Sequence, residues 1–337
     1  MRIDTHQHFY ILDEMNPFEN WKNRSNLGKA DDQLDLEVLF VDYVPEQLAP
    51  LLEETGIDGT MLVQMNAIPE ETEQMFRWYE RFPFILGLVV TLDFRLELDQ
   101  FRETWKNLTE HSGVKAVRVV ISDVVQDGVF HPHVKGNLQF LESVGFPVEL
   151  AVRPPQLEPL IALLQQCPNV RASLIHGGKP NIAVEDFVQW KRLVSRIADF
   201  PNVYCKVSGL INNLESNNRW HRHWRQEEIT PYVEHLLEAF GTSRVMYGSD
   251  WPICNVAGGY RRAFDSIALA LPEQMNDRDR QKLFGGNAVR FYRLEAAMLL
   301  KEKCIGCGEH FTFREVKLWS GEKIDCPFCG TPFHIVK

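Results

Sequence analysis

Four polar residues stand where β-rich runs of the sequence end, and their types suit chemistry on a carbonyl group. His6 and His8 are two residues apart on the first run, so both imidazoles point to the same side of a strand. Two neutral imidazoles aimed at one point suit a divalent metal such as zinc, or they polarise a carbonyl directly. Asp250, at the end of the last run, has a carboxylate that could bind the same metal and take a proton from water. His176 ends the sixth run, and the two glycines after it let the backbone approach a ligand closely.

A simpler interpretation of these residues is structural. His6 and His8 could be surface histidines, and Asp250 could cap a helix before Pro252, since a short H-x-H motif is weak evidence by itself. The motif gains weight because His176 and Asp250 also end β-rich runs. We therefore expect catalytic roles for all four residues, with His6, His8 and Asp250 as candidate ligands of an active-site zinc.

Three cations and one tryptophan near the run ends are candidates for substrate binding. Arg118, Arg153 and Lys179 could anchor an anionic or hydroxylated substrate, or they could be ion-pair partners at the rim of the fold. Trp220 lies in an aromatic and cationic segment that suits recognition of a sugar or a carboxylate, although an exposed helix start explains it equally well.

Bringing these residues together requires a scaffold in which distant strand ends meet. Eight β-rich runs alternate with segments whose apolar residues recur three and four apart, as in 69–81 and 227–240. Strand and helix in alternation imply a parallel sheet, and eight repeats close into a (β/α)8 TIM barrel, an α/β fold with its active site at the C-terminal strand ends. An open doubly wound sheet is the alternative, but no G-x-G-x-x-G turn follows the first run. The runs cover residues 2–9, 59–64, 84–91, 115–121, 147–152, 171–176, 202–208 and 244–250.

Length and charge limit the class of partner. The 337 residues suffice for one barrel of about 250 residues and something small. No stretch approaches the roughly 20 apolar residues that cross a bilayer, and the N-terminus lacks the apolar region of a signal peptide, so we expect a cytoplasmic protein that binds no membrane. A net charge of −10 argues against nucleic acid, because phosphate-backbone binders need clustered positive charge. A small-molecule substrate fits better. Length and charge leave open whether the chain forms a homo-oligomer.

Residues 301–337 have the character of a separate module after a barrel of residues 1–300. Two C-x-x-C pairs, Cys304 with Cys307 and Cys326 with Cys329, are separated by 18 residues, a spacing typical of a zinc ribbon with four thiolate ligands. A redox role is the competing interpretation. The module carries six basic and five acidic residues, so it is poorly suited to DNA. We expect it to contact another subunit or to cap the pocket.

Five ordered motifs resemble the lactonases of the amidohydrolase superfamily, which include sugar-lactone and pyrone-dicarboxylate lactonases. The resemblance implies a distorted TIM barrel that hydrolyses a lactone, and it assigns His6, His8, His176 and Asp250 to active-site positions where the metal varies from one zinc to none. The chain departs from the family pattern at Ile175, where an aspartate is common, and in its cysteine-rich tail. The motifs cover residues 3–9, 176–180, 205–209, 245–252 and 284–288.

The leading expectation is therefore hydrolysis of a small lactone, of the sugar-acid or carboxylated type, by a water that Asp250 activates. His6 and His8 would bind the carbonyl oxygen directly or through one divalent metal, and His176 would assist. A zinc-dependent decarboxylase of the same superfamily is the first alternative. A non-catalytic barrel that serves as a binding scaffold is the second.

Overall fold

The computed structural model of the chain describes residues 1–15, 17, 36–182, 187–213, 223–294, 299–314 and 324–333. Eight parallel strands form the barrel that the sequence predicts, in the order β1-β2-β3-β4-β7-β8-β9-β10. These strands are β1 (Ile3–Gln7), β2 (Gly59–Val63), β3 (Ile85–Thr91), β4 (Val114–Val120), β7 (Val148–Ala151), β8 (Ala172–Leu174), β9 (Val203–Val207) and β10 (Val245–Tyr247).

The barrel closes between its last strand and its first. The backbone N–H of Asp250 donates to the carbonyl of His6 at 2.8 Å, and the N–H of His8 donates to the carbonyl of Trp251 at 2.7 Å. An open doubly wound sheet would leave these two edges apart, so the closure excludes that alternative. It also joins the backbones of His6 and Asp250 directly, and that of His8 to the residue after Asp250.

Helices follow the strands and cover the outside of the barrel. A short hairpin, β5 (Val125–Gln126) and β6 (Val129–Phe130), interrupts the alternation after β4. The helices are α1 (Leu12–Met15), α2 (Pro45–Thr55), α3 (Pro69–Arg81), α4 (Leu98–Thr109), α5 (Ile121–Val124), α6 (Pro132–Val144), α7 (Leu157–Leu164), α8 (Phe187–Ala198), α9 (Gln226–Phe240), α10 (Tyr260–Ala268), α11 (Asp277–Gln281) and α12 (Asn287–Tyr292), with 3-10 turns at Pro154–Gln156, Ile175–Gly178, Ile211–Asn213 and Ile253–Ala257 and a π turn at Lys282–Gly286.

Helix α3 illustrates how the sequence specifies this layer. Pro69 occupies the first turn, where its missing N–H is not needed, and acidic residues there and Arg81 in the last turn complement the helix dipole. Met75, Trp78 and Tyr79 recur three and four apart and are buried against the barrel. The predicted helix over 69–81 is therefore confirmed to the residue.

The inside of the barrel is apolar at its N-terminal end and polar towards the other. Ile3, Met61, Val89 and Met246 form an apolar cluster there with the aromatic rings of α12. Above this cluster, buried charged and polar side chains lead to the C-terminal strand ends. This apolar cluster fills the N-terminal end of the barrel, and the polar side chains lie towards the C-terminal end, where the active sites of TIM barrels are found.

The C-terminal tail forms two small hairpins, β11 (Leu299–Lys303) with β12 (His310–Arg314) and β13 (Ile324–Asp325) with β14 (Pro332–Phe333). The guanidinium of Arg81 donates to the carbonyl of Pro327 at 2.8 Å, and His310 lies 3.6 Å from Glu53. A cavity of about 360 Å³ between tail and barrel is lined by residues just before β2 and β3, including Ile57 and Phe84.

These contacts put the described part of the tail at the N-terminal end of the barrel. Active-site residues of a TIM barrel lie at the opposite end. The expectation that the tail caps the pocket is therefore wrong. The physical reason is that the tail packs against a surface formed by residues just before β2 and β3. Among the described residues, no helix is long and apolar enough to cross a bilayer.

Candidate active site

Three imidazoles surround one carboxylate at the C-terminal mouth of the barrel. The Nε2 atoms of His6 and His8 lie 3.6 and 3.5 Å from Asp250 Oδ1, and His176 Nε2 lies 3.6 Å from Asp250 Oδ2. All four side chains are buried. Residues that are up to 244 positions apart in the sequence thus meet at one point, as the strand-end pattern predicts.

The backbone aims each of these side chains. His6 and His8 project from β1 and the residue after it, on the same side of the strand. His176 and Asp250 each follow a strand in the left-handed region, with φ of 53° and 59°. Non-glycine residues in that conformation cost on the order of 1 to 3 kcal/mol each and persist where the surroundings impose them, which is frequent at functional sites.

Asp4 lies on β1 two residues before His6, and its side chain links β1 to the loop that carries Asp250. Its carboxylate accepts hydrogen bonds from the Ser249 hydroxyl at 2.6 Å, the Ser249 N–H at 2.9 Å and the His6 N–H at 3.1 Å. Burial raises the pKa of Asp4 to about 6 despite these donors. Asp4 therefore sets the distance between the two sides of the mouth.

Burial determines the charge states around the central carboxylate. It lowers the pKa of His176 to about 3, and it lowers the pKa of His8 and, further, that of His6. Burial alone would raise the pKa of Asp250, but His176 and His8 outweigh it and hold that pKa below its ordinary value. At neutral pH the site therefore contains an ionised carboxylate among neutral imidazoles, so Asp250 is in the form that can accept a proton.

Hydrogen bonds on the far side of the rings assign proton positions. A carbonyl oxygen only accepts, so the 2.7 Å contact between His8 Nδ1 and the Val63 carbonyl puts the proton on Nδ1. His8 Nε2 then faces Asp250 as a second acceptor. Two acceptors 3.5 Å apart call for a donor or a cation between them, such as a water molecule. His176 Nδ1 contacts the Ser208 hydroxyl at 2.8 Å, a partner compatible with either tautomer.

The ligand atoms of His6, His176 and Asp250 lie within 4.8 Å of one another and fit one divalent ion in kind and spacing. Nitrogen and oxygen ligands about 2.1 Å from a tetrahedral zinc are roughly 3.4 Å apart, close to the distances between these atoms. His6 Nε2 is buried without a hydrogen-bond partner in the described part of the chain, which also points to an occupant. The three residues that fit one ion thus include His176, whereas the sequence suggested His8 as the ligand beside His6 and Asp250.

The predicted cations all lie near the C-terminal ends of barrel strands, but their environments differ. Arg118 near the end of β4 donates to the Gln64 carbonyl at 2.7 Å, and its Nε is buried with no partner among the residues described. Lys179 is half-buried and helps to lower the pKa of His176 and of Asp250. Arg153 is exposed at the rim, and Trp220 lies outside the described residues.

Sequence reasoning missed a buried ion pair beneath the mouth. The ammonium of Lys206 on β9 donates to Glu149 on β7 at 2.7 Å and to the Thr5 carbonyl at 2.6 Å, and it lies 3.2 Å from His6 Nδ1. Tyr292 of α12 donates to Glu149 Oε1, which also lies 2.7 Å from the Lys206 ammonium. A signal was available, because each charged residue interrupts an otherwise apolar strand.

The four tail cysteines form a second cluster of potential metal ligands. The sulfur atoms of Cys304 and Cys329 are 3.5 Å apart and those of Cys307 and Cys326 are 3.7 Å apart, and all four sulfurs lie within 4.8 Å of one another. Sulfurs about 2.3 Å from a tetrahedral zinc would be roughly 3.8 Å apart. Backbone N–H groups of Cys307 and Gly306 help to lower the pKa of Cys304 to about 6. Donor set and spacing therefore fit a zinc ion.

Comparison with known proteins gives these observations a context. The model of the amidohydrolase family matches residues 3–294, so the cysteine-bearing tail lies outside it. An L-fucono-1,5-lactonase of Burkholderia ambifaria is 29% identical over 300 residues, which are 87% of this chain and 96% of the lactonase.

Two solved structures are similar over the same part of the chain. An amidohydrolase from Burkholderia multivorans with bound HEPES superimposes with a TM-score of 0.75 at 25% identity, covering 88% of this chain and all of that one. A second crystal form from the same organism contains bound zinc and gives a TM-score of 0.73 at 24% identity, with the same coverage.

Proposed function

Because the chain belongs to the amidohydrolase family, we propose that it hydrolyses the lactone of a sugar acid, with Asp250 as the general base. The observation that carries this proposal is the convergence of three imidazole nitrogens on one buried carboxylate, at 3.5 to 3.6 Å. The similarity to an L-fucono-1,5-lactonase over nearly its whole length supports the substrate class.

In this mechanism Asp250 accepts a proton from water while the water oxygen attacks the lactone carbonyl carbon. N–H groups of His6 and His176 stabilise the negative charge that develops on the carbonyl oxygen. The ring carbon–oxygen bond then breaks, and Asp250 returns its proton to the leaving alkoxide. The product is a hydroxy acid, whose carboxyl group releases a proton at neutral pH.

His8 orients the attacking water. Its Nε2 is an acceptor because Nδ1 donates to the Val63 carbonyl, so a water bound between His8 and Asp250 donates a hydrogen bond to each. This leaves a water lone pair free to face the carbonyl carbon.

A divalent ion bound by His6, His176 and Asp250 would supply a Lewis acid for the carbonyl and lower the pKa of a bound water. Every step assigned above uses groups of the chain itself.

Arg118 and Lys179 bind polar groups of the substrate in this proposal. The buried guanidinium of Arg118 has an N–H without a partner among the described residues, and a hydroxyl or carboxylate of the substrate would satisfy it. Arg153 and Trp220 stay candidates for the outer part of the ligand.

We also propose that Cys304, Cys307, Cys326 and Cys329 bind a structural zinc ion, which makes residues 301–337 a zinc ribbon. The two turns that carry the cysteines are built alike. The Gly308 N–H donates to the backbone carbonyl of Cys304 at 2.9 Å, and the Gly330 N–H donates to the backbone carbonyl of Cys326 at 2.8 Å. Such a small unit needs the metal to fold.

A panel of sugar-acid 1,4- and 1,5-lactones, assayed by proton release with a pH indicator, tests the function. We expect turnover of at least one lactone and no release of carbon dioxide from hydroxybenzoic acids. Carbon dioxide release without lactone turnover would replace this proposal by the decarboxylase alternative. Binding of lactones without turnover would favour a binding scaffold instead.

A further inference from the structure

The buried Lys206 contacts the back of the His6 ring, on the side away from Asp250. Lys206 and Glu149 are both completely buried inside the barrel. The Lys206 Nζ atom lies 2.7 Å from the Glu149 carboxylate, 2.6 Å from the Thr5 carbonyl and 3.2 Å from His6 Nδ1. These three partners match the three hydrogens of an ammonium group.

The Lys206 contact constrains where the His6 ring carries its proton. Burial lowers the pKa of Lys206, but the Glu149 carboxylate 2.7 Å away opposes this and pairs with the ammonium form. An ammonium group has no lone pair, so it can only donate to Nδ1. A neutral imidazole that accepts at Nδ1 carries its proton on Nε2. The ring nitrogen that faces Asp250 is therefore an N–H group in His6, whereas in His8 it is a lone pair, because the Val63 carbonyl holds the proton on the opposite nitrogen.

We propose that Lys206 is a positioning residue that fixes His6 as a hydrogen-bond donor in the mouth and disfavours its use as a metal ligand. A metal-bound histidine needs its lone pair on the ligating nitrogen and donates with the other one to a carboxylate, a carbonyl or water. Lys206 offers that other nitrogen a donor instead of an acceptor. The ligand types and distances around Asp250 fit an ion, but this outer contact opposes one.

The consequence for the reaction rests on the proposed function. With its proton on Nε2, His6 points an N–H into the mouth, where it stabilises negative charge on a substrate oxygen. The two histidines of the H-x-H pair then have opposite roles, His6 as donor to the carbonyl oxygen and His8 as acceptor from the attacking water.

The proton position can be observed directly in the full chain with its tail zinc retained. Nitrogen-15 NMR of histidine-labelled protein distinguishes Nε2-protonated from Nδ1-protonated rings, and the variants His6→Gln and His8→Gln assign the two signals. We expect His6 to be protonated on Nε2 and His8 on Nδ1. A His6 ring protonated on Nδ1 would overturn the proposal.

Metal affinity gives a second and independent readout. Lys206→Met combined with Glu149→Gln removes the ammonium without leaving an unpaired buried carboxylate. We expect this double variant to bind zinc in the barrel at least roughly tenfold more tightly than wild type, measured by competition with a chromophoric chelator after the tail site is filled. Unchanged or weaker affinity would contradict the proposal.

Tyr292→Phe is the matched control. It removes the other hydrogen bond to Glu149 and leaves the contact of Lys206 with His6 in place. Its barrel zinc affinity and its His6 signal should match wild type. If the double variant does not fold, the NMR measurement on wild type still decides. Neither readout uses a lactone, so an inactive enzyme would refute the proposed function and leave this inference standing.

Discussion

The described part of the chain contains two clusters of potential metal ligands, and these clusters are built in opposite ways. The barrel mouth gathers His6, His176 and Asp250 from three strand ends across the sequence, whereas the tail gathers four cysteines from two turns within 26 residues. The mouth is buried and supported by the whole barrel. In the tail, Cys307 and Cys329 are exposed and the hairpins are short.

The two clusters differ in the interactions that hold their side chains in place. Backbone closure and the Asp4 network hold the mouth in place through hydrogen bonds of the barrel itself. In our proposal the tail, whose described hairpins are short, depends on its zinc ion for its geometry. The two clusters should therefore respond differently to mutation, to acid and to loss of metal.

The largest effect is expected from removing ligands in the tail. Cys326→Ser together with Cys329→Ser should abolish zinc binding there and unfold the tail, because no other source of stability replaces the ion. Lactone turnover should persist, since the tail lies at the far end of the barrel. Metal analysis, limited proteolysis and the proton-release assay measure the three properties.

Cys167→Ala, which changes a buried cysteine in the bend after α7, is the control and should keep the tail zinc. Loss of lactone turnover in step with tail zinc would contradict the independence of the two clusters.

Asp250→Asn should give the next largest effect, now confined to the mouth. Loss of a general base lowers turnover by roughly 100-fold to 10,000-fold. The fold should survive, because an asparagine oxygen can still accept the 2.7 Å hydrogen bond from Asn212. Turnover is measured by proton release and folding by circular dichroism.

Asp265→Asn makes the same chemical change on helix α10, where the carboxylate bonds Arg261 at the surface. It should retain full activity. Wild-type rates in Asp250→Asn would remove Asp250 from the mechanism.

Acid should lower the free energy of unfolding by a smaller amount, and the sign of this change follows from the pKa of His176. Its folded pKa of about 3 lies below the ordinary value of 6.5, so its contribution to stability is present above pH 6.5 and is lost as pH falls towards 3. Between pH 7 and pH 5 this loss is about 2 kcal/mol of unfolding free energy. Denaturant unfolding at both pH values measures it.

The same measurement on His176→Asn should show a pH dependence smaller by about that amount. His223→Asn, at an exposed position, should not change the dependence. Equal pH dependence in wild type and His176→Asn would show that this histidine does not pass from neutral to charged on unfolding.

The smallest effect is expected where the tail contacts the N-terminal end of the barrel. Arg81→Ala removes the bonds to the Pro327 carbonyl and the ion pair with Glu46 at 3.2 Å. Exposed pairs of this kind contribute about 0.2 to 1 kcal/mol, so zinc-loaded tail hairpins should exchange amide hydrogens slightly faster. Lactone kinetics should not change.

Arg77→Ala, one turn earlier on α3, contacts Gln74 and Glu73 and serves as the control. Tail exchange that is faster in both variants would indicate an effect of the helix rather than of the contact.

Local patterns predicted most of the fold. All eight barrel strands lie within one residue of the expected runs or inside them, because buried parallel strands are short apolar runs that need no distant partner to be recognised. The cysteine spacing likewise predicted a tight cluster, since each C-x-x-C turn is formed by neighbours in sequence.

The tail's location and the roles of Asp4, Glu149 and Lys206 could not be predicted in this way. Each depends on a partner far away in the sequence: Ser249 for Asp4, and His6 for Lys206. A charged residue in an apolar strand signals a buried pair but does not name its partner. The surface that receives the tail is likewise assembled from α2, α3 and the segments before β2 and β3.

By itself the sequence determined the residue types at the strand ends, the barrel that carries them and the spacing of the four cysteines. Only the tertiary structure decided which nitrogen of His6 and which of His8 carries the proton, because that choice is made by Lys206 and Val63 across the barrel. Proton positions follow from the partners a ring meets after folding, and side-chain identity alone leaves both tautomers available.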